Sequence, residues 1–252
     1  MGAEFPPFRN AASLRFSVLS AYCDWRPTAT AARVNYTPHL LNSMSTRRPR
    51  RPTGKKRPAP SEPTPTPGLR IIGGRFRGRR LLYGGDTRVR PMKDRVREAT
   101  FNLIGPSIKG KQAVDLFAGT GALALEALSR GAVRATLIEQ HFPTAAIIRK
   151  NLATLGVEKV TDLVTSSVFI WLRREPKLDG PPWIVFCSPP YDFYVDRTDE
   201  TLALIQGLMD RAPNESIFAV ESDERFDFSL LPDASRWDVR PYPPAVVGVY
   251  RV

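Results

Sequence analysis

The segment Val114-Asp-Leu-Phe-Ala-Gly-Thr-Gly-Ala-Leu-Ala-Leu-Glu126 passes from an apolar run through two closely spaced glycines into a helical pattern. Ala113 to Phe117 is short and apolar apart from one carboxylate, Asp115, as suits a buried parallel strand. Gly119 and Gly121 follow, and from Ala122 to Arg130 the residues Leu123, Ala127 and Leu128 share a helical face that Gly131 can stop. A strand that turns through glycines into a helix brings bare backbone N–H groups up to a ligand. Glu139 ends the next strand-like run, Ala135-Thr-Leu-Ile138, where a carboxylate can accept both hydroxyls of a ribose. The pattern predicts a nucleoside-cofactor site.

Two cofactors compete for it. Gly119-x-Gly121-x-x-Ala124 with Glu139 further on also satisfies the loose dinucleotide fingerprint. Asp115, however, precedes the first glycine at a place where a carboxylate can receive the ammonium of a methionine moiety. Beside a pyrophosphate it has no role. The loop around Thr120 carries no further glycine for phosphate approach. S-adenosylmethionine is the better fit, and a dehydrogenase ranks behind it.

Outward from this segment the apolar pattern alternates. A helix is expected from Phe142 to Leu155, with Pro143 in its first turn. Strands are expected at Val160–Val164, Trp183–Cys187 and Ser216–Glu221, and helices at Val168–Arg174 and Thr201–Ala212. Trp237–Pro241 and Ala245–Val252 read as a closing antiparallel pair. The fold class predicted is α/β: a doubly wound, mostly parallel seven-stranded sheet of the Rossmann-like class I methyltransferase kind, with a small N-terminal β-hairpin extension.

The net charge of +12 is uneven: +9 over residues 1–70, +6 over 71–105 and −3 over the remainder. Such asymmetry points to an anionic polymer, most simply nucleic acid. Residues 1–68 are basic and Pro-rich, and a mobile tail is expected there. The part before Met44 has the composition of a transit peptide, but a start of translation at Met44 is the preferred reading. Residues 69–105 read as a basic extension of hairpin and helix, and 106–252 as the cofactor domain. In the extension Arg75, Arg77, Arg79, Arg80, Arg88, Arg90, Arg95 and Arg97 are expected to meet nucleic-acid phosphates. Two cysteines and two histidines without paired spacing give no metal site or disulfide framework, and no run is long enough to span a membrane. The expectation is a cytoplasmic monomer.

Ser188-Pro-Pro-Tyr191 falls just past a strand end, at the edge where open α/β sheets bind ligands. An exocyclic amine on a base is a poor nucleophile because its lone pair is delocalised into the ring. Accepting its two hydrogens on the Ser188 oxygen and the Pro189 carbonyl favours a pyramidal nitrogen and frees that lone pair. Pro189 and Pro190 stiffen the turn, and Tyr191 can stack on the base, at about 1–3 kcal/mol. Most of the catalysis would then be positioning.

With these motifs, Leu69 to Glu221 resembles the bacterial small-subunit rRNA guanine-N2 methyltransferases of the RsmD type. The similarity runs through Arg70-Ile-Ile-Gly-Gly-Arg75, Arg88-x-Arg-Pro91, Asp94-Arg-Val-Arg-Glu98, Phe101-Asn102 and Asp115-Leu-Phe-Ala-Gly-Thr-Gly121. It continues in Leu125-Glu-Ala-Leu-Ser-Arg130, Asn151-Leu-Ala-Thr-Leu155 and Val220-Glu-Ser222. The resemblance implies S-adenosylmethionine as cofactor and 16S rRNA in the small ribosomal subunit, or its assembly intermediate, as partner. It implies a cofactor set of Asp115, Phe117, Gly119, Gly121, Glu139, Gln140, Ser167 and Val168, and a base set of Ser188, Pro189, Pro190 and Tyr191. The family usually carries aspartate at the position of Ser188 and often aspartate or asparagine at that of Ser167. A serine hydroxyl is the weaker acceptor, since charge-assisted bonds are about twice as strong. A DNA amino-methyltransferase and a non-catalytic RNA-binding relative stay open as alternatives.

Overall fold

The computed structural model describes residues 65–85 and 91–252. The expectations for residues 1–64, and for Arg88 and Arg90, fall outside these.

The chain enters as a two-stranded antiparallel hairpin, β1 (Pro65–Arg70) and β2 (Arg80–Leu82), with a 3-10 turn at Gly74–Phe76. Backbone bonds from Ile71 N to Arg79 O (2.9 Å) and from Gly78 N to Ile71 O (2.8 Å) close it. β1 begins at Pro65, four residues inside the stretch expected to be a mobile tail, with Pro65 opposite Leu82. A proline lacks the N–H for a central strand but is tolerated at an edge, which is where β1 lies.

Helix α1 (Asp94–Ile104) follows, then β3 (Gln112–Asp115), α2 (Ala122–Ser129), β4 (Arg134–Ile138) and α3 (Phe142–Leu155). Next come β5 (Thr161–Val164), α4 (Val168–Arg173), β6 (Trp183–Cys187), α5 (Phe193–Asp196) and α6 (Thr198–Met209). β7 (Ile217–Asp223), β8 (Asp238–Tyr242) and β9 (Ala245–Arg251) complete the chain. The seven-stranded sheet has the order β5-β4-β3-β6-β7-β9-β8. β3 through β7 pair in parallel, and β9 joins β7 and β8 antiparallel. The expected fold class is the one found.

The order reverses at β3, which has β4 on one side and β6 on the other. Open sheets bind ligands outside the carboxyl ends of the strands at such a switch point. One core lies between the sheet and α1, α2, α3 and the hairpin; the other lies under α4, α5 and α6.

The hairpin and helix of residues 69–105 pack directly on the cofactor domain. Val96, Phe101 and Ile104 of α1 are buried in the same core as the sheet, and the Phe101 ring stands 5.5 Å from that of Phe186 on β6. The hairpin is bolted on by three polar side chains. Glu126, fully buried on α2, accepts from Ile72 N and Gly73 N, each at 2.7 Å. Ser129 Oγ accepts from Phe76 N at 2.9 Å, and Asn151 on α3 exchanges bonds with the N–H and carbonyl of Leu82. The turn lies so close to α2 that a Cβ at Gly74, whose φ is +74°, would stand 2.0 Å from the Ser129 carbonyl oxygen. Gly74→Ala is therefore expected to lift the hairpin off α2, read as faster proteolytic cutting between residues 70 and 80.

Candidate active site

Register puts the two ligand loops level. Asp115 on β3 lies opposite Phe186 on β6, and Leu116 N donates to Phe186 O at 3.1 Å. The glycine loop and Ser188-Pro-Pro-Tyr191 thus leave the sheet at one edge and face a single cleft of about 750 Å³. Phe117, Gly119, Glu139, Gln140, Ser167, Val168 and all of Ser188, Pro189, Pro190 and Tyr191 border it.

The glycine loop is held from both ends. Ala118 N donates to Ile138 O (2.9 Å), and Gly121 N donates to Ala118 O (2.6 Å). Gly121 takes φ +76°, a left-handed conformation that favours glycine, while a Cβ there would make only ordinary contact, at 3.4 Å, with Ile148 and Leu137. Gly121 caps α2 without itself lining the cleft.

Glu139 stands past the end of β4, with Oε2 accepting from Gly119 N (2.9 Å) and Oε1 from His141 N (2.7 Å). Burial pushes its carboxyl above the ordinary range, and these backbone donors pull it part of the way back. Both oxygens keep lone pairs for a ribose diol. Across the cleft Phe117, Phe169 and Phe193 form an aromatic wall, with ring centroids 5.9 to 6.4 Å apart. The Arg197 guanidinium lies over Phe169 and Phe193 at 4.2 and 4.9 Å. Phe169 and Phe193 escaped the sequence reading, because an aromatic on a short helix looks like core.

Two expectations are corrected. Asp115 is not in the cleft wall; it lies beneath the glycine loop, where Oδ2 accepts from Ala124 N at 3.3 Å. Its Oδ1 is buried with no hydrogen-bond partner, and burial raises the carboxyl to about 7, with the Glu139 charge adding to the rise. The second is Arg97, expected at an RNA surface and found wholly buried. Its Nη2 donates to Asp94 Oδ1 (2.8 Å) and to the Arg70 carbonyl (2.6 Å), and its Nε lies 3.9 Å from Glu126. A guanidinium enclosed by two carboxylates and a carbonyl is unavailable to phosphate. Arg75, Arg77, Arg79, Arg80 and Arg95 are exposed.

The sequence reading also missed Glu221, at the cleft end of β7 and only 7% exposed. The Ser188 hydroxyl donates to its Oε2, and the Tyr191 hydroxyl donates to its Oε1 at 2.7 Å. The signal needed was the pairing of β6 with β7: Cys187 lies opposite Val220, so Ser188 and Glu221 emerge side by side.

The donor set suits S-adenosylmethionine. A glycine cradle, a ribose-facing carboxylate, an aromatic wall and an orphaned carboxylate oxygen under the loop match a cationic nucleoside. Among the described residues no cluster of ligating side chains could hold a metal ion, and no helix is long and apolar enough to cross a membrane.

Residues 69–236 match the family described as conserved hypothetical protein 95. The chain is 40% identical over 164 residues to the ribosomal RNA small subunit methyltransferase D of Escherichia coli K12, a match covering 65% of this chain and 79% of the relative. A solved putative methyltransferase from Escherichia coli is similar with a TM-score of 0.58 at 35% identity, over 73% of this chain and 97% of the other. A T. thermophilus 16S rRNA N2 methyltransferase, solved with AdoMet and guanosine, has a TM-score of 0.56 at 22% identity, over 73% of this chain and 49% of its own, a likeness of fold alone. The matched region runs from the end of β1 to the turn before β8 and includes both ligand loops, so the chain belongs to the conserved hypothetical protein 95 family, that of the RsmD-type methyltransferases.

Proposed function

We propose that the chain methylates the exocyclic 2-amino group of a guanine in small-subunit rRNA, using S-adenosylmethionine. The observation that carries this is the meeting, in one cleft at the switch point, of the glycine loop with Ser188-Pro-Pro-Tyr191. The bound cofactor supplies an electrophilic methyl group on a sulfonium. Glu139, the glycine loop and the Ser167–Val168 turn hold the nucleoside, and Asp115 contributes negative charge from below. Ser188 Oγ and the Pro189 carbonyl take the two amine hydrogens, and the Tyr191 ring supports the base.

The hairpin supports this reading by its tie to the glycine loop. Asn151 bonds to Leu82 at the end of β2 and also reaches the Thr120 carbonyl in the glycine loop (3.5 Å), so hairpin and loop share one support. The exposed arginines 75, 77, 79 and 80 are thereby held at a set place relative to the cleft, as phosphate contacts that fix register must be.

The test is transfer of labelled methyl to undermethylated small subunits, with naked 16S rRNA and duplex DNA alongside. Label in 2-methylguanine from the subunits is expected; label in DNA, or none, overturns the reading. Replacing Arg77 and Arg80 with alanine is expected to weaken RNA binding and to lower the slope of log affinity against log salt by about 1 per lost phosphate contact. Cofactor affinity, measured by calorimetry, should not change. An unaltered salt slope would take these arginines off the RNA surface.

A further inference from the structure

Ser188 is a neutral hydroxyl where the chemistry calls for a strong acceptor, and a carboxylate stands directly behind it. Glu221 takes the Ser188 proton on Oε2 and the Tyr191 proton on Oε1. The Ser188 O–H is thus turned toward β7, and the oxygen's lone pairs are left for other donors. Both residues border the cleft, so this pair is part of the wall a substrate meets.

Resting on the function proposed above, we infer that Glu221 is a positioning residue that makes Ser188 a proton acceptor for the reacting amine, the two residues together doing the work of one carboxylate. As the carbon–nitrogen bond forms and the carbon–sulfur bond breaks, sulfur keeps the electron pair and the nitrogen becomes cationic. One amine proton passes to Ser188 Oγ while the Ser188 proton passes to Glu221 Oε2. The product is the neutral methylamine, the serine is restored, and Glu221 returns its proton to water. Tyr191, bonded to the other oxygen, keeps the carboxylate plane in place and couples the base-supporting ring to the same group.

Among the described residues, charged and titratable groups near Glu221 come from several elements. Tyr191 and Tyr194 come from the turn after β6 and from α5, and burial pushes the Tyr194 hydroxyl well up. Asp223 and Arg225 follow on and just beyond β7, and Arg225 also pairs with Asp192 at 3.0 Å. Lys93 borders the same cleft at the start of α1.

Transfer to undermethylated small subunits is measured for the wild type, Glu221→Gln, Ser188→Asp and the double variant S188D/E221Q, with kcat followed against pH. Calorimetric cofactor affinity and melting temperature are recorded for each, which separates misfolding from a lost proton path. Glu221→Gln is expected to lower kcat about 100-fold or more, with the KM for subunits and the cofactor affinity unchanged. Any dependence of wild-type kcat on pH that Glu221 contributes should be absent from that variant. S188D/E221Q should recover at least tenfold over Glu221→Gln, since the charge is restored at the position that meets the amine. A Glu221→Gln variant as fast as wild type, with its pH profile unchanged, or a double variant no faster than Glu221→Gln, overturns the role of Glu221. A wild type that transfers no label overturns instead the reading of function beneath it.

Discussion

Glu126→Ala is expected to destabilise the protein by about 3–5 kcal/mol, the range for breaking a buried ion pair from one side. The carboxylate is wholly buried and serves four donors: Ile72 N, Gly73 N, Arg130 Nε at 2.8 Å and, more loosely, Arg97 Nε at 3.9 Å. Its removal leaves two backbone N–H groups unpaired and the buried Arg97 with Asp94 as its remaining carboxylate. Burial already weakens the hold of Arg97 on its proton, and loss of one of the two carboxylates that oppose this makes it worse. At about 2–4 °C per kcal/mol for a domain of this size, the melting temperature should drop by roughly 10 °C. A second effect follows from the geometry. The hairpin's first contact with α2 goes through this carboxylate, so RNA affinity should fall although Glu126 touches no solvent. Thermal melting and filter binding on one preparation check both. A melting temperature within about 2 °C of wild type would mean that the hairpin is held by Ile71 and Leu81 in the core and that Glu126 is dispensable.

The parts legible in the sequence were those whose causes are local. α3 runs from Phe142 to Leu155 as expected because Pro143 starts it and Gly156, in a left-handed conformation, ends it. The glycine loop and Ser188-Pro-Pro-Tyr191 were readable because backbone turns at strand ends carry their own residue signature. Boundaries slipped where the pattern is polar: α6 opens with Thr198-Asp-Glu200, an acidic first turn that apolar spacing ignores. The fate of single charged residues was not legible, since it depends on partners brought by the sheet. Arg97 stands among surface arginines in sequence, and only the packing of α1 on α2 shows that it serves Glu126. Glu221 is likewise an ordinary strand-end acid until β6 and β7 are set in register. Asp115 was expected at the ligand and lies beneath the loop: a strand-end carboxylate can point at the ligand or at the first turn of the following helix, and spacing does not distinguish them.

That placement of Asp115 makes a test with opposite signs for stability and binding. Its carboxyl has an ordinary value of 3.8 and is raised to about 7 in the fold, chiefly by burial. Below pH 3.8 both folded and unfolded chains hold the proton, and the group contributes nothing. Between about 4 and 7 the unfolded chain ionises first, so stability falls as pH rises, and above about 7 the whole penalty is present. The difference of roughly three pH units corresponds to about 4 kcal/mol. Asp115→Asn cannot ionise and keeps an oxygen for Ala124 N, so its stability relative to wild type should rise by about 4 kcal/mol between pH 4 and pH 8. Any fixed cost of the amide cancels in that difference. Denaturant unfolding of cofactor-free protein at the two pH values measures it; a difference that does not move with pH would show that Asp115 is ionised throughout, its burial offset by the loop's N–H groups. Cofactor binding should change the other way. The ionised carboxylate supplies the negative charge beneath a cationic ligand, so the variant, more stable at pH 8, should bind S-adenosylmethionine more weakly there. The wild-type advantage should shrink as pH falls through about 7. A stabilised variant with undiminished affinity would assign Asp115 to the architecture of the loop alone. A stabilised variant with weakened affinity would identify the buried charge as a strain kept in the fold for the cofactor's sake.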